Sequence, residues 1–388
     1  MILIKDAEIL TMSKKDFKEG SILVKDGKIA EISEYIEIKD DYEVIDGKGK
    51  TVIPGIIDAH THLGIEEDGL SWEGQDCNEM TDPITPHLRA IDAVNPDDFA
   101  IKESLQNGIT TIMTGPGSAN VLGGESMVIK TYGKTVDQMV LKNPAGLKAA
   151  FGENPKRVYK EQKKLPTTRM GIAAIMRENL MKAQDYIQKK DNAKKENKTF
   201  DRDIKMESLI RVINKELPLK VHAHRADDIM TAIRIAKEFD VNITLEHCTE
   251  GHKIADEIAE AKIPAVVGPS MTGRVKVELS ELSFKTAGVL AKAGVKIALM
   301  SDHPVIPTKN ATVYAALAIK EGLDPKEALK AITINPAEIL GVDDRVGSIE
   351  VDKDADLVIY NGDPLDITST IDKVFINGNI VENKKDGK

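Results

Sequence analysis

An apolar segment that runs straight into two histidines constrains this chain more than any other stretch. Residues 52–57 read as a buried strand carrying a Pro54-Gly55 pair, and they lead into Asp58-Ala59-His60-Thr61-His62. Side chains at i and i+2 of a strand share a face. His60 and His62 therefore aim both imidazoles at one point, as a metal ion requires, with Asp58 one step back on the same face. A His-x-His pair also arises by chance, so its meaning depends on what the rest of the chain places beside it.

The 388 residues suffice for one large barrel and a satellite. At the start, short strand-like runs at 2–4, 7–10, 21–24 and 29–32 alternate with turns, and Asp26-Gly27 is a hairpin signal. The other end has the same pattern, with runs at 346–351, 356–360 and 374–381 and turns at Asn361-Gly362 and Asn377-Gly378. The simplest account joins both ends into one small β-sandwich domain with the middle inserted. The expected division is 1–54 and 343–388 for that domain and 55–342 for the insert.

The middle alternates strands with helices, which predicts α/β architecture and, at this length, a (β/α)8 TIM-like barrel with room for distortion. Asn95-Pro96-Asp97-Asp98 is expected to open a helix that Gly108 closes. Strands are expected at 109–113, 147–151, 219–222, 243–247, 264–267 and 295–300. Helices are expected near 227–239, 252–262, 281–293, 310–321 and 325–334. Eight strands do not count cleanly, because 157–216 reads as helical where one more strand is due. Residues 188–205 are charged and poor in apolar groups, as in a solvated helix or mobile connection. Residues 63–94, long, acidic and holding the sole tryptophan, Trp72, are expected to cover the site.

Composition narrows the function. A net charge of −10 argues against a nucleic-acid surface. The first residues lack a basic region followed by a long apolar run, and no stretch of about 18 apolar residues occurs, so neither a signal peptide nor a membrane span is expected. Cys77 and Cys248 are too few for a disulfide scaffold, and a cytoplasmic setting is the default. The expected partner is a small-molecule substrate, and a homo-oligomer is left open.

In a barrel, chemistry sits at the C-terminal ends of the strands. His60, His62, His222, His224, His247 and His303 all fall at such ends, and only His87 and His252 do not. Glu153 follows the strand at 147–151, and Asp302 follows the strand at 295–300. Imidazole and carboxylate together suit first-row divalent ions. Two such ions bridged by a carboxylate would bring a shared water toward a pKa of about 7. A free aspartate oxygen beside it could take the proton and pass it to a leaving nitrogen.

At this point the chain resembles the amidohydrolase superfamily, in its broad imidazolonepropionase-related group. The carriers are Pro54-Gly55-Ile56-Ile57-Asp58-Ala59-His60-Thr61-His62, the later His222 and His247, Ser301-Asp302, and the closing stretch 347–358. The resemblance implies that His60, His62 and Asp302 hold one metal and that His222 and His247 hold the other. It implies one or two divalent ions, Zn2+ first, with Fe, Mn or Co as the other candidates. Relatives bridge the ions with a carboxylated lysine or a glutamate. Glu153 needs no modification and is the preferred bridge, with Lys148 or Lys156 as the alternative. His224, Arg225 and Asn120 are candidate substrate contacts, although Arg225 has nearby Asp227 and Asp228 as ordinary ion-pair partners. Cys248 and His303 read as packing residues.

The resulting expectation is a metal-dependent hydrolase that cleaves an amide or cyclic amide C–N bond with a metal-bridging hydroxide, Asp302 acting as acid and base. A deaminase of the same fold is the first alternative. Such deaminases commonly place a glutamate three residues after the later-strand histidine, where this chain has Arg225. A non-catalytic scaffold that keeps the barrel is the second, and it would have lost ligands that this chain retains. Specificity is expected in the loops 63–94, 114–125 and 269–275.

Overall fold

The structure, a computed structural model, describes residues 1–381. Among the described residues, sixteen strands fall into two sheets. The first five are β1 (Ile2–Ile9), β2 (Phe17–Lys25), β3 (Lys28–Ser33), β4 (Glu43–Asp46) and β5 (Thr51–Pro54). Eight follow in the middle: β6 (Ile56–Thr61), β7 (Ile109–Thr114), β8 (Leu122–Lys130), β9 (Val140–Ala150), β10 (Leu219–Ala223), β11 (Ile243–His247), β12 (Ala265–Val267) and β13 (Ile297–Leu299). The last three are β14 (Leu357–Asn361), β15 (Thr370–Ile376) and β16 (Asn379–Ile380).

Both chain ends share one sheet, in the order β16-β15-β14-β5-β1-β2-β3, with β4 paired to β1. The join is β14 running antiparallel to β5, with Leu357 opposite Pro54 and Tyr360 opposite Thr51. Alternate residues such as Ile4, Ile22, Leu357, Ile359 and Phe375 bury one apolar face, which removes it from water and holds the strands in register. Only Gly55 separates β5 from β6, where the chain leaves this sheet for the other. A Cβ there would lie 2.0 Å from Thr110 Oγ1, so no side chain fits at the crossing.

The middle strands form the second sheet in sequence order from β6 to β13. All pairings are parallel except those of β8, which runs antiparallel to both β7 and β9. Past the strand ends, Asp302 N–H donates to His60 O at 3.2 Å and His62 N–H donates to His303 O at 3.0 Å. These bonds draw the β13 side to β6 and close the sheet almost completely into a TIM-like barrel. No helix among the described residues is long and apolar enough to cross a membrane.

The uncounted eighth strand is β8, and it does not lie in 157–216. That stretch is helical, as its composition indicated, with helices at Glu153–Glu161, Arg169–Lys195 and Ile204–Ile213. Every position of β8 is buried, so it lacks the inside–outside alternation that marks a strand, and Gly123-Gly124 gives it the look of a turn. Gly124 has a packing reason: a Cβ on it would come within 2.4 Å of Leu88 O. Lys130, at the end of β8, places its amino group 2.8 Å from Asp354 and 2.9 Å from Asp356. All three are buried, and pairing offsets the cost of burying them. The contact ties the barrel to the segment leading into β14.

One helix start also moves. Asn95 does not cap the helix after the long loop; Asp98 does, accepting from Ala100 N, and the helix runs Phe99–Gln106. The other Asp98 oxygen accepts from Gly64 N at 2.9 Å, so the cap also anchors the loop that leaves β6.

Candidate metal centre

The barrel strands deliver their polar side chains to one end. His60, His62 and Asp302 offer ligand atoms within 4.8 Å of one another, and so do His222, His224 and His247. Asp302 Oδ1 stands 3.3 Å from His62 Nε2 and 3.5 Å from His60 Nε2. Two ligands on a tetrahedral ion with arms of 2.0–2.2 Å lie about 3.3–3.6 Å apart, so this group fits a divalent ion.

The far ring nitrogens strengthen that reading. His60 Nδ1 meets Glu246 Oε2 at 2.8 Å, and His62 Nδ1 meets Gly115 O at 2.7 Å. His247 Nδ1 meets Gly268 O at 2.9 Å, and His224 Nδ1 meets Thr249 Oγ1 at 2.8 Å. Each contact orients a ring and leaves Nε2 as the nitrogen free to ligate, the usual support of metal-binding histidines. Burial, reinforced by Lys148, lowers the pKa of His60 to about 4, and burial beside the other imidazoles takes His247 well below its ordinary value. Burial thus favours the neutral, ligating form of His60 and His247.

Carboxylates balance them. Burial alone would raise Asp302, but the His62 hydrogen bond and the His60 and His62 rings hold it well below the usual carboxylate range. Burial likewise opposes ionisation of Glu246, which Lys220 and His60 outweigh, bringing it down to about 2. Glu246 is fully buried in β11 and also accepts from Thr244 Oγ1. Glu246→Gln is expected to weaken metal affinity at the His60 group by about 10- to 100-fold, because the amide no longer fixes the His60 ring as an anion does. Chelator competition on the purified variant measures this, and parental affinity would remove Glu246 from that role.

Of the two kinds of bridge named from the sequence, the structure brings a lysine into the centre. Lys148, in β9, is 3% exposed and its Nζ lies 3.1 Å from His60 Nε2. Glu153 is the first residue of the helix Glu153–Glu161, half-buried, and stands in neither ligand group. The reason is local: Gly152, at φ 84, turns the chain out of β9 before Glu153 is reached. Lys156 lies in the first turns of the same helix. The signal for Lys148 was a lysine inside an all-buried run, Ala145 to Ala150.

The remaining candidates divide. His224 joins the second group. Arg225 forms an exposed ion pair with Asp227, at 2.9 and 3.0 Å. Asn120 is buried and saturated, giving Nδ2 to Glu79 O and Thr85 Oγ1 and receiving Tyr159 O–H, so it braces the loops behind the site. Cys248 is fully buried beside His247, and His303 is buried with its carbonyl used by His62. Trp72 is 81% exposed and covers nothing. A cavity of about 250 Å3 fronts both ligand groups, walled by Glu66 and Cys77 from the first long loop, Ser118 from the second and Thr272 and Val275 from the third. Sequence reasoning gave no role to Glu246, although it adjoins His247, and missed Glu278, which sits in a turn without a motif.

A barrel with histidines and an aspartate gathered at its strand ends defines a class, and the comparisons agree on it. The amidohydrolase family model matches residues 51–381, and the chain belongs to that family. It is similar to an amidohydrolase structure from Thermotoga maritima MSB8, with a TM-score of 0.95 and 49% identity, covering 98% of this chain and 100% of that one. Among curated proteins it is 28% identical to amidohydrolase tasK of Hapsidospora irregularis, over 92% of this chain and 39% of that protein. It is 27% identical to an adenine deaminase of Listeria monocytogenes, over 98% of this chain and 57% of that one. It is 26% identical to the imidazolonepropionase of Thermoplasma volcanium, over 95% and 92%. The chain thus spans less than two thirds of the first two of these relatives.

Proposed function

We propose that this protein is a metal-dependent hydrolase of a C–N bond in a small amide or cyclic amide. The observation that carries the proposal is the pair of ligand groups, His60–His62–Asp302 and His222–His224–His247, at the mouth of one cavity. His60, His62 and Asp302 would hold one divalent ion, His222 and His247 the second, and Lys148 would bridge them. Zn2+ is the first choice for this donor set, with Fe, Mn or Co behind it. A divalent ion bound there polarises a carbonyl and makes water a usable nucleophile near neutral pH.

The chain's own groups supply the rest. Asp302 takes a proton from the attacking water as its oxygen bonds to the carbonyl carbon. The same carboxyl then returns that proton to the nitrogen as the C–N bond breaks. The cavity, at about 250 Å3, is smaller than the usual pocket for a drug-sized ligand, which favours a compact substrate. A cytoplasmic setting belongs to the same proposal, supported by Cys77 and Cys248 being free thiols. The sheet shared by both chain ends stands in this reading as the small β-sandwich that braces the barrel.

Burial lowers the pKa of Lys148. A neutral amine adds to carbon dioxide, forming an N–C bond and releasing a proton, and the resulting carbamate provides two oxygens for a bridge. In 13C-bicarbonate, the parent protein is expected to give a carbamate carbon resonance that Lys148→Met lacks, together with lower metal content in the variant. A parent with full metal occupancy and no such resonance would rule the carbamate out.

The deaminase alternative keeps one supporting observation, the likeness to adenine deaminases along 98% of the chain. A library of amides, cyclic amides and aminopurines, assayed with metal restored, separates the readings. Amide cleavage without ammonia release supports the hydrolase, and ammonia release from an aminopurine supports the deaminase. A metal-loaded protein inert to all three classes would overturn both.

A further inference from the structure

Glu278 is a buried carboxylate that the proposed chemistry leaves unused. It sits in the short turn Val277–Leu279 after β12 and is 1% exposed. Its Oε2 accepts from Glu153 N at 2.9 Å, while Oε1 has no hydrogen-bond partner among the described residues. Around Oε1 stand Lys276 Nζ at 3.7 Å, His224 Nε2 at 3.8 Å and His222 Nε2 at 4.0 Å. These separations are too long for hydrogen bonds. The two imidazole separations fall between the about 3.3 Å of ligands at a tetrahedral angle on one ion and the about 4.2 Å of ligands directly across it.

His222 points the same way. It is 3% exposed, and neither ring nitrogen has a partner among the described residues. Its ring centroid lies 4.7 Å from that of His224 and 4.3 Å from that of His247, while those of His224 and His247 lie 4.4 Å apart. Three rings converge, and an anion with an open oxygen faces two of them. Lys276 Nζ, at 3.7 Å, is a counter-charge beyond hydrogen-bond reach of this oxygen, so a buried anionic oxygen and the partnerless His222 ring face a place that a cation would satisfy.

We infer that His224 and Glu278 both belong to the second metal position, His224 as a third ring ligand and Glu278 as the carboxylate that completes it. Apart from the shared Lys148, this half of the centre then draws four side chains from the chain and the His60 half three, so the room for reacting groups lies on the His60 side. The inference rests on the metal-dependent reading above and changes what His224 does within it.

The test is titration of metal-stripped protein with Co2+, followed by visible absorption and by elemental analysis after gel filtration. The parent is expected to take up two ions. Glu278→Gln and His224→Ala are each expected to weaken one of them by at least 10-fold and leave the other at parental affinity, and Glu278→Asp to recover part of the loss. A parent that binds no Co2+ overturns both the metal-dependent reading and this inference. A parent that binds two, with variants of unchanged affinity, overturns the inference alone. If Glu278 were only a packing group beside Lys276, Glu278→Gln would lower Tm while Co2+ affinity stayed at the parental value, and that result also overturns it.

Discussion

Replacing His60 and His62 together by alanine is expected to abolish turnover and remove at least one metal ion per chain. The double change deletes two of the three ligands in the first group and leaves Asp302 without either Nε2 neighbour. It also strips Glu246 Oε2 of its ring partner, leaving Lys220 Nζ, at 3.1 Å from Oε1, as the nearby counter-charge. A buried acceptor that loses its partner costs about 1–3 kcal/mol, so some loss of Tm accompanies the loss of function. Metal content per folded chain, measured with Tm on the same sample, separates the two effects. Full metal occupancy in the folded double variant would take these histidines out of the centre.

Asp302→Asn is the second large expectation. The amide keeps the size and one ligand oxygen but cannot accept the proton. In the parent, the His62 and His60 contacts outweigh burial and hold the carboxyl below the usual carboxylate range, which favours the proton-accepting form. We expect kcat to fall at least ~100-fold, the lower end of what positioned acid–base groups contribute. KM should change less, because the cavity walls are untouched. The measurement is steady-state kinetics on a substrate found in the amide screen, with metal determined on the same preparation. Near-parental kcat at full loading would place the proton path elsewhere, with buried His303 as the next group to replace.

The features legible in the sequence were those that repeat a local rule. Alternating strands with Asn-Gly and Asp-Gly turns pointed to a sheet made from both ends, and the structure pairs β14 with β5. Polar residues following apolar runs located His60, His62, His222, His224, His247 and Asp302, and the structure brings them into two groups. What escaped was set by contacts distant in sequence. Strand β8 is buried at every position, so it carries no period, and its Gly124 answers to Leu88, more than thirty residues away in the chain. Glu153 looked well placed at a strand end, but one glycine with positive φ turned the chain before it, while Lys148 stayed inside the barrel. Glu278 reaches His222 and His224 from a turn beyond β12, a proximity that no spacing encodes.

The pairing of β5 with β14 has a consequence in time. One edge of β5 meets β1, made only moments before, but its other edge must wait for residues 357–360, on the order of 300 residues later. At a synthesis rate of about 5–20 residues per second, that wait is on the order of 15–60 s. Through it, Val52 and Ile53, both fully buried at the end, sit beside an unpaired strand edge, the kind of surface that recruits stray strands. The β5 edge of a nascent chain therefore stays open until the strands that cover it emerge.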